Sequence, residues 1–146
     1  MARLNGFTKK QIIEVYRKMA LSRKLDDKML ILLKQGKSFF HIGASGHEGA
    51  QLAAAGMIKP GEDWSFPYYR DGAYCLGLGM TAREQLLSFL AKAADPNSGG
   101  RQMPQHYGHK DLRIVSQSSP TGTQFLQAVG CAMVCKMEKT KEVVYV

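Results

Sequence analysis

Apolar residues recur at helical spacing near the start of the chain, and they do so twice. Ile12, Val15, Tyr16 and Met19 make one stripe, while Leu21, Leu25, Met29 and Leu32 make another about half a turn round. Thr8-Lys9-Lys10-Gln11 has the form of a capping box, and Gly36 suits the position just past a helix end. The pattern predicts one long helix, gripped by neighbours on two sides. In "SFFHIGASGHEGAQLAAAGM" a Gly- and Ser-bearing loop, Ser38 to Gly46, leads into a small-residue helix from about His47 to Met57. Alanine-rich helices permit close approach. "KPGEDW" is a turn, and the aromatic, glycine-punctuated "SFPYYRDGAYCLGLGM" fits no single period. "TAREQLLSFLAKAAD" opens with a second capping box, Thr81 to Glu84, and predicts a helix with Leu86, Leu87, Phe89, Leu90 and Ala93 on its inner side.

The pattern then loosens. From Asp95 to Lys110 the chain reads as loop, too long and too rich in Gly, His and Gln to be mere connection, which is the character of a loop that serves a site. "LRIVS" suits a short strand or an extended lead-in. From Thr123 to about Lys139 a helix is apolar nearly all round through Cys135, and "EVVYV" suits a buried parallel strand. An all-round apolar helix followed by such a strand implies an α/β sheet covered by helices. One good strand and one weak one do not make a parallel sheet. The expectation is the opening portion of a larger α/β domain, or a chain that needs a partner to complete its sheet.

Composition changes this picture little. At 146 residues and 45% hydrophobic content the chain is the size of one globular domain. No apolar run approaches the roughly 20 residues that cross a bilayer, and "MARLNGFTKKQ" has no hydrophobic signal core, so an intracellular protein without membrane association is expected. The formal charge of +8 is concentrated at the start, with ten Lys or Arg against three acids up to Lys37. These charges are spread through a helical pattern and accompany no nucleic-acid-binding signature. They suit a solvated helix face or a surface for an acidic partner protein better than nucleic acid. Cys75, Cys131 and Cys135 are odd in number and lack metal spacing, which suits reduced core thiols.

Candidate chemistry lies in two places. In "SQSSPTGTQFLQAVG", Ser119 can cap a helix with Pro120 at its first position, or Thr121 to Gln124 can form a capping box. Equally, crowded hydroxyls and carbonyls are the oxygens a hard cation takes, and first-turn amides favour anions. In "YYRD", Arg70 suits bidentate phosphate contact and Tyr69 adds an oriented hydroxyl, although a surface Arg near tyrosines is common. His41, His47 and His106 stay open among core histidine, cap, ligand and catalytic group. No pair has zinc spacing, and no Ser-His-Asp or Cys-His order stands out.

Together, "FFHIGASGHEGAQLA", "YYRDGAYCLGLGMT", "GRQMPQHYGHK" and "VSQSSPTGTQFLQAVGCA" resemble, in order, motifs of the alpha-type chain of thiamine-diphosphate-dependent 2-oxoacid dehydrogenases. The branched-chain (2-oxoisovalerate), pyruvate and acetoin types are the nearest in kind, and the resemblance covers nearly the whole chain after about Thr8. It implies an α/β fold: the incomplete N-terminal portion of a thiamine-diphosphate-binding, helix-covered parallel-sheet domain, mostly helical as far as it goes. Residues 1–37 would be a helical arm and 38–146 the first part of the diphosphate-binding domain. It implies Tyr69 and Arg70 at the cofactor's diphosphate, and Ser119 and Thr121 at the cofactor toward its aminopyrimidine. Phe40 would line the substrate pocket, with His41 beside it as the catalytic candidate. Ser118, Pro120, Thr123 and Gln124 match the positions that hold a structural potassium.

The implied activity is decarboxylation of a 2-oxoacid with acyl transfer to a lipoyl group on a partner acyltransferase. Mg²⁺ would be held by a Gly-Asp-Gly motif and an Asn lying beyond Val146, so the 146-residue piece alone would be inactive. A beta-type chain or domain would complete a hetero- or homo-oligomer, in the cytoplasm of a bacterium or the mitochondrial matrix of a eukaryote. Two rivals are a non-catalytic basic binding module and another thiamine enzyme of transketolase-like or acetoin-cleaving type.

Overall fold

A computed structural model describes residues 3, 4 and 6–146 of the chain. A short antiparallel pair, β1 (Arg3–Leu4) and β2 (Phe7–Thr8), leads into α1 (Lys9–Lys34). Thr8 accepts from the Gln11 N–H at 3.3 Å and the Gln11 side chain accepts from the Thr8 N–H at 2.9 Å, so the expected capping box forms. At the other end the Gly36 N–H reaches the Leu33 carbonyl and the Lys37 N–H reaches Leu32, with Gly36 at a φ of +67°. That closure requires the left-handed conformation glycine adopts freely.

The two stripes on α1 are covered unequally, with Leu21 of the second exposed and Met19 of the first half-buried near Gly49 of α2. Leu25, Met29 and Leu32 are buried, and the last two pack with Phe89. Ile12, Val15 and Tyr16 are exposed, so among the described residues α1 is gripped from one side, where α2, α3 and α4 pack, and not from two.

Next come α2 (Glu48–Ala55), β3 (Trp64–Ser65), α3 (Gly72–Leu78) and α4 (Ala82–Phe89). The alanine-rich α2 does permit close approach: a Cβ on Gly77 would stand 2.4 Å from the Ala55 Cβ. This contact explains α3, whose two internal glycines make it a poor helix by propensity; burial from Gly72 to Leu78 overrides that cost. Helix α4 carries the expected capping box, with the Glu84 N–H donating to the Thr81 hydroxyl at 3.2 Å. It ends earlier than its pattern suggested, because Ala91 takes a φ of +50° and the Lys92 N–H closes onto the Leu87 carbonyl. Its most buried positions are Gln85, Ser88 and Phe89, while Ala93 lies outside the helix and exposed.

The sheet is small and parallel. β3 pairs with β4 (Val144–Tyr145) in the register Trp64↔Val144 and Ser65↔Tyr145, and Ser65 also bridges Ile114 on its other side. The strand missing from the sequence pattern is therefore Trp64–Ser65, too short to show alternation; "LRIVS" supplies only a bridge. β4 is half-buried, not buried as expected, because β3 covers one edge and nothing described covers the other. Behind the sheet, Tyr74 stacks on Tyr145 at 4.7 Å and shares a 2.8 Å hydrogen bond with Ser65, inside a core of Ala55, Cys75, Leu78, Met80, Tyr107 and Ile114.

Helix α5 (Thr123–Met137) precedes β4 and buries only Gln124 and Ala128. Its N-cap is Gly122 at a φ of +89°, with no side-chain cap. Neither of the expected caps forms, because the Thr123 hydroxyl turns back to the Pro120 carbonyl at 2.9 Å and the Thr121 hydroxyl meets Tyr69. All three cysteines are free; Cys75 is a core thiol, whereas Cys131 and Cys135 are half-buried. No helix among the described residues is long and apolar enough to cross a membrane.

Candidate functional site

Segments following the two parallel strands and the parallel bridge beside them converge: 66–71 after β3, Val146 after β4 and 115–122 after Ile114. Outside the carboxyl ends of parallel strands is where open α/β sheets bind ligands. A cleft of about 330 Å³ opens there, lined in part by Phe66, Tyr68, Asp71, Thr121, Gln124 and Tyr145.

Side-chain amides join these segments. The Gln117 amide, oriented as its neighbours demand, donates to the Pro67 carbonyl at 2.6 Å and accepts from the Tyr69 N–H at 2.9 Å. Gln105 does the same for the loop ahead of α2: it donates to the Ile42 carbonyl at 2.6 Å and accepts from the Ile42 N–H, copying the pairing of a neighbouring strand. The 95–110 loop is thus tied to the loop ahead of α2 and bonded within itself. Asp95, itself buried, takes the Asn97, Ser98 and Gly100 N–H groups and the Ser98 hydroxyl.

Four of the expected cofactor residues come together on this frame. The Tyr69 hydroxyl lies 3.4 Å from that of Thr121, and the Tyr69 ring stacks on Tyr68 at 3.9 Å and faces His106 at 6.3 Å. The hydrogen bond to Thr121 is the main influence lowering the Tyr69 pKa, followed by Tyr68, and the Arg70 charge acts in the same direction. Arg70 donates to the Gly43 carbonyl and sits 5.8 Å from the Tyr69 ring centre. Ser119 lies 2.7 Å from His106 Nε2.

The sequence pattern gave His106 no role, yet it is a hub. Its Nδ1 lies 3.1 Å from the Pro104 carbonyl, which can only accept, so Nδ1 donates there, and Nε2 shares a 2.7 Å hydrogen bond with the Ser119 hydroxyl.

The oxygens expected to hold a cation cluster only in part. Ser118 and Thr123 hydroxyls touch, and Thr123 donates to the Pro120 carbonyl. The Gln124 side chain is buried and lines the cleft instead. Phe40 is half-buried at the head of its loop.

His41 lies one layer behind the cluster. Its side chain is 4% exposed, Nδ1 accepts from Gln105 at 3.2 Å, and Nε2 lies 3.7 Å from Asp26. Burial pushes its pKa down and the Asp26 charge opposes this. Asp26 also accepts from the Ala44 N–H at 2.9 Å and the Ser45 hydroxyl at 3.0 Å, so α1 holds the loop in which His41 lies.

The donor set fits an anionic diphosphate. Arg70 has five N–H groups of which the Gly43 carbonyl engages one, and Tyr69, Ser119 and Thr121 add hydroxyls at the same strand ends. Among the described residues no cluster of three or more His, Cys, Asp or Glu side chains is arranged to hold a metal ion.

Comparison with known proteins agrees with the motifs. Residues 16–146 match the family model described as "Dehydrogenase E1 component". The chain is 48% identical over 134 residues to 2-oxoisovalerate dehydrogenase subunit alpha of Bacillus subtilis (strain 168), covering 92% of this chain and 41% of that protein. It is 32% identical over 142 residues to the mitochondrial alpha subunit of Homo sapiens, covering 93% and 30%. With alpha 1 of Arabidopsis thaliana, also mitochondrial, the identity is 33% over 132 residues, covering 90% and 28%. The chain therefore spans about two-fifths or less of the length of these relatives.

Proposed function

Because the chain belongs to the dehydrogenase E1 component family and resembles the N-terminal part of its alpha-type chains, we propose that it serves as part of a decarboxylating 2-oxoacid dehydrogenase. The observation that carries this reading is the convergence of Tyr69, Arg70, Ser119 and Thr121 where the parallel strands end. The proposed substrate is a branched-chain 2-oxoacid of the 2-oxoisovalerate type, after the names of the relatives. The chemistry supplied by bound thiamine diphosphate is nucleophilic addition at the 2-oxo carbon and uptake of the electron pair freed by loss of CO₂.

The chain's own residues bind and orient. Arg70 and Tyr69 hold the diphosphate by charge-assisted and hydroxyl hydrogen bonds. Ser119, fixed by His106, and Thr121, fixed by Tyr69, face the cofactor toward its aminopyrimidine. Phe40 forms one wall of the substrate pocket. His41, with Asp26 and Gln105, sets the loop on which Phe40 stands, which is the reading its burial favours over direct proton transfer. The oxygens of Ser118, Pro120 and Thr123, with Gln124 beside them, are the proposed potassium site. Mg²⁺ is assigned to no residue of this chain.

The acyl unit would pass to a lipoyl group on a partner acyltransferase, whose disulfide serves as the two-electron oxidant and is reduced to a thioester and a free thiol, and a beta-type chain would complete the assembly. The compartment is the cytoplasm in a bacterium and the mitochondrial matrix in a eukaryote. Calorimetric titration of the whole protein with thiamine diphosphate tests the clamp. Arg70→Ala should weaken binding by about 1.5–3 kcal/mol, the range of a hydrogen bond to a charged group. Unchanged affinity would remove Arg70 from the site.

A further inference from the structure

Gln51 lies on α2, within a quoted motif but with no role assigned to it so far, and is 7% exposed. All four hydrogen-bonding positions of its amide are used, and all four partners lie on one turn. Nε2 donates to the Arg70 carbonyl at 3.0 Å and to Asp71 Oδ1 at 3.0 Å; Oε1 accepts from the Ala73 and Tyr74 N–H groups at 3.2 and 3.4 Å. The Arg70 carbonyl can only accept and the two amides can only donate, so the orientation is forced.

Gln51 also replaces a missing cap. Asp71 is the N-cap of α3 but makes no cap bond of its own. Its carboxylate is drawn instead to the Tyr68 N–H at 2.8 Å and to Gln51. The helix's first free amides are then satisfied from α2. Gln51 thus ties the turn 68–74 to α2, beside the bonds the turn makes to Gln85 and Gln117, and Arg70 is the residue whose carbonyl the Gln51 side chain holds.

We propose that Gln51 is a positioning residue for the anion clamp, fixing the Arg70 backbone so that the guanidinium meets the cofactor's diphosphate without reorganisation. This rests on the clamp reading above. A site built on a helix and locked by hydrogen bonds behind it keeps its geometry, and loosening that support weakens what the site binds. Gln51 touches no ligand atom in this role and acts only through the turn.

A double-mutant cycle on the whole protein with its partner chain tests it, with thiamine diphosphate as the probe in calorimetry. Gln51→Met removes all four bonds; Gln51→Asn keeps an uncharged amide on an arm one methylene shorter, and is the milder variant if the first does not fold. Either should weaken the dissociation constant about tenfold with Arg70 present and less than about twofold in the Arg70→Ala background, a coupling of about 1 kcal/mol. A merely structural role would lower the melting temperature and weaken binding equally in both backgrounds, which would overturn the proposal. So would unchanged affinity in both Gln51 variants while Arg70→Ala weakens binding. If Arg70→Ala itself leaves affinity unchanged, the clamp fails first and the proposal falls with it.

Discussion

The turn 66–74 and helix α5 lie on either side of the same cleft and are finished to different degrees. Around the turn, Gln51, Gln85, Gln105 and Gln117 are all buried, and each engages a backbone carbonyl. On α5, Leu126 is 81% exposed, Met133 60% and Met137 76%. The first region is specified within the chain: the buried glutamine amides meet named backbone partners, as burial demands. The second carries apolar surface that nothing described here covers. Hydrophobic pattern states what must be buried, while hydrogen-bonded joints state against what, and only the second kind of statement is completed here.

If the joints carry the organisation, the largest losses should come from the close contacts behind the turn. Gly77→Val adds its first carbon 2.4 Å from the Ala55 Cβ, which forces α2 and α3 apart. The expected cost is about 3 kcal/mol, the upper end of overpacking, read as a lowered urea midpoint. An unchanged midpoint would mean the two helices are not clamped together. Asp26→Ala should cost somewhat less, about 2 kcal/mol, because it leaves the buried Ala44 N–H without a partner. Its loss should also raise proteolytic cleavage within 38–46 relative to the rest of the chain. Uniform cleavage would separate Asp26 from that loop.

These contacts mark the limit of what the sequence made legible. Both capping boxes and the closure at Gly36 were readable, because a cap is a local bargain among residues three or four apart. The Tyr69, Arg70, Ser119 and Thr121 cluster came from motif resemblance; spacing alone cannot bring positions 69 and 121 together. Helix α3 and strand β3 were not readable. The helix depends on Gly77 meeting Ala55, and the strand has two residues, fewer than one period of alternation needs. His106 stood in a motif with nothing to mark its partner, and the joining glutamines carried no signal, since a buried Gln and a solvated one look alike in sequence.

A smaller effect separates the layer behind the site from the surface. The His41 pKa lies below its ordinary value through burial, with Asp26 opposing. The folded protein therefore resists a proton that the unfolded chain accepts. Stability is full above the ordinary histidine value of about 6.5 and falls as pH drops through it. His41→Gln should flatten that acid limb of the melting-temperature profile between about pH 7 and 5. An acid limb of unchanged slope would assign the proton uptake to another group.

The smallest change is expected on α5. Leu126 contributes little to the fold of this chain, being 81% exposed, and its replacement by Gln leaves no cavity and strands no polar group. Leu126→Gln in the 146-residue chain should shift stability by no more than about 0.5 kcal/mol, the range of ordinary surface substitutions. The same change, combined with Met133→Gln, should reduce binding of a hydrophobic dye, because it breaks the apolar surface formed with Phe125, Val129 and Met137. A large loss of stability from Leu126→Gln would show that α5 is held by contacts within the chain, and the contrast with the glutamine-jointed turn would disappear. Near-neutral stability with lowered dye binding would sharpen it: one side of the cleft is fixed by its own polar network, while the other presents apolar surface still open to water.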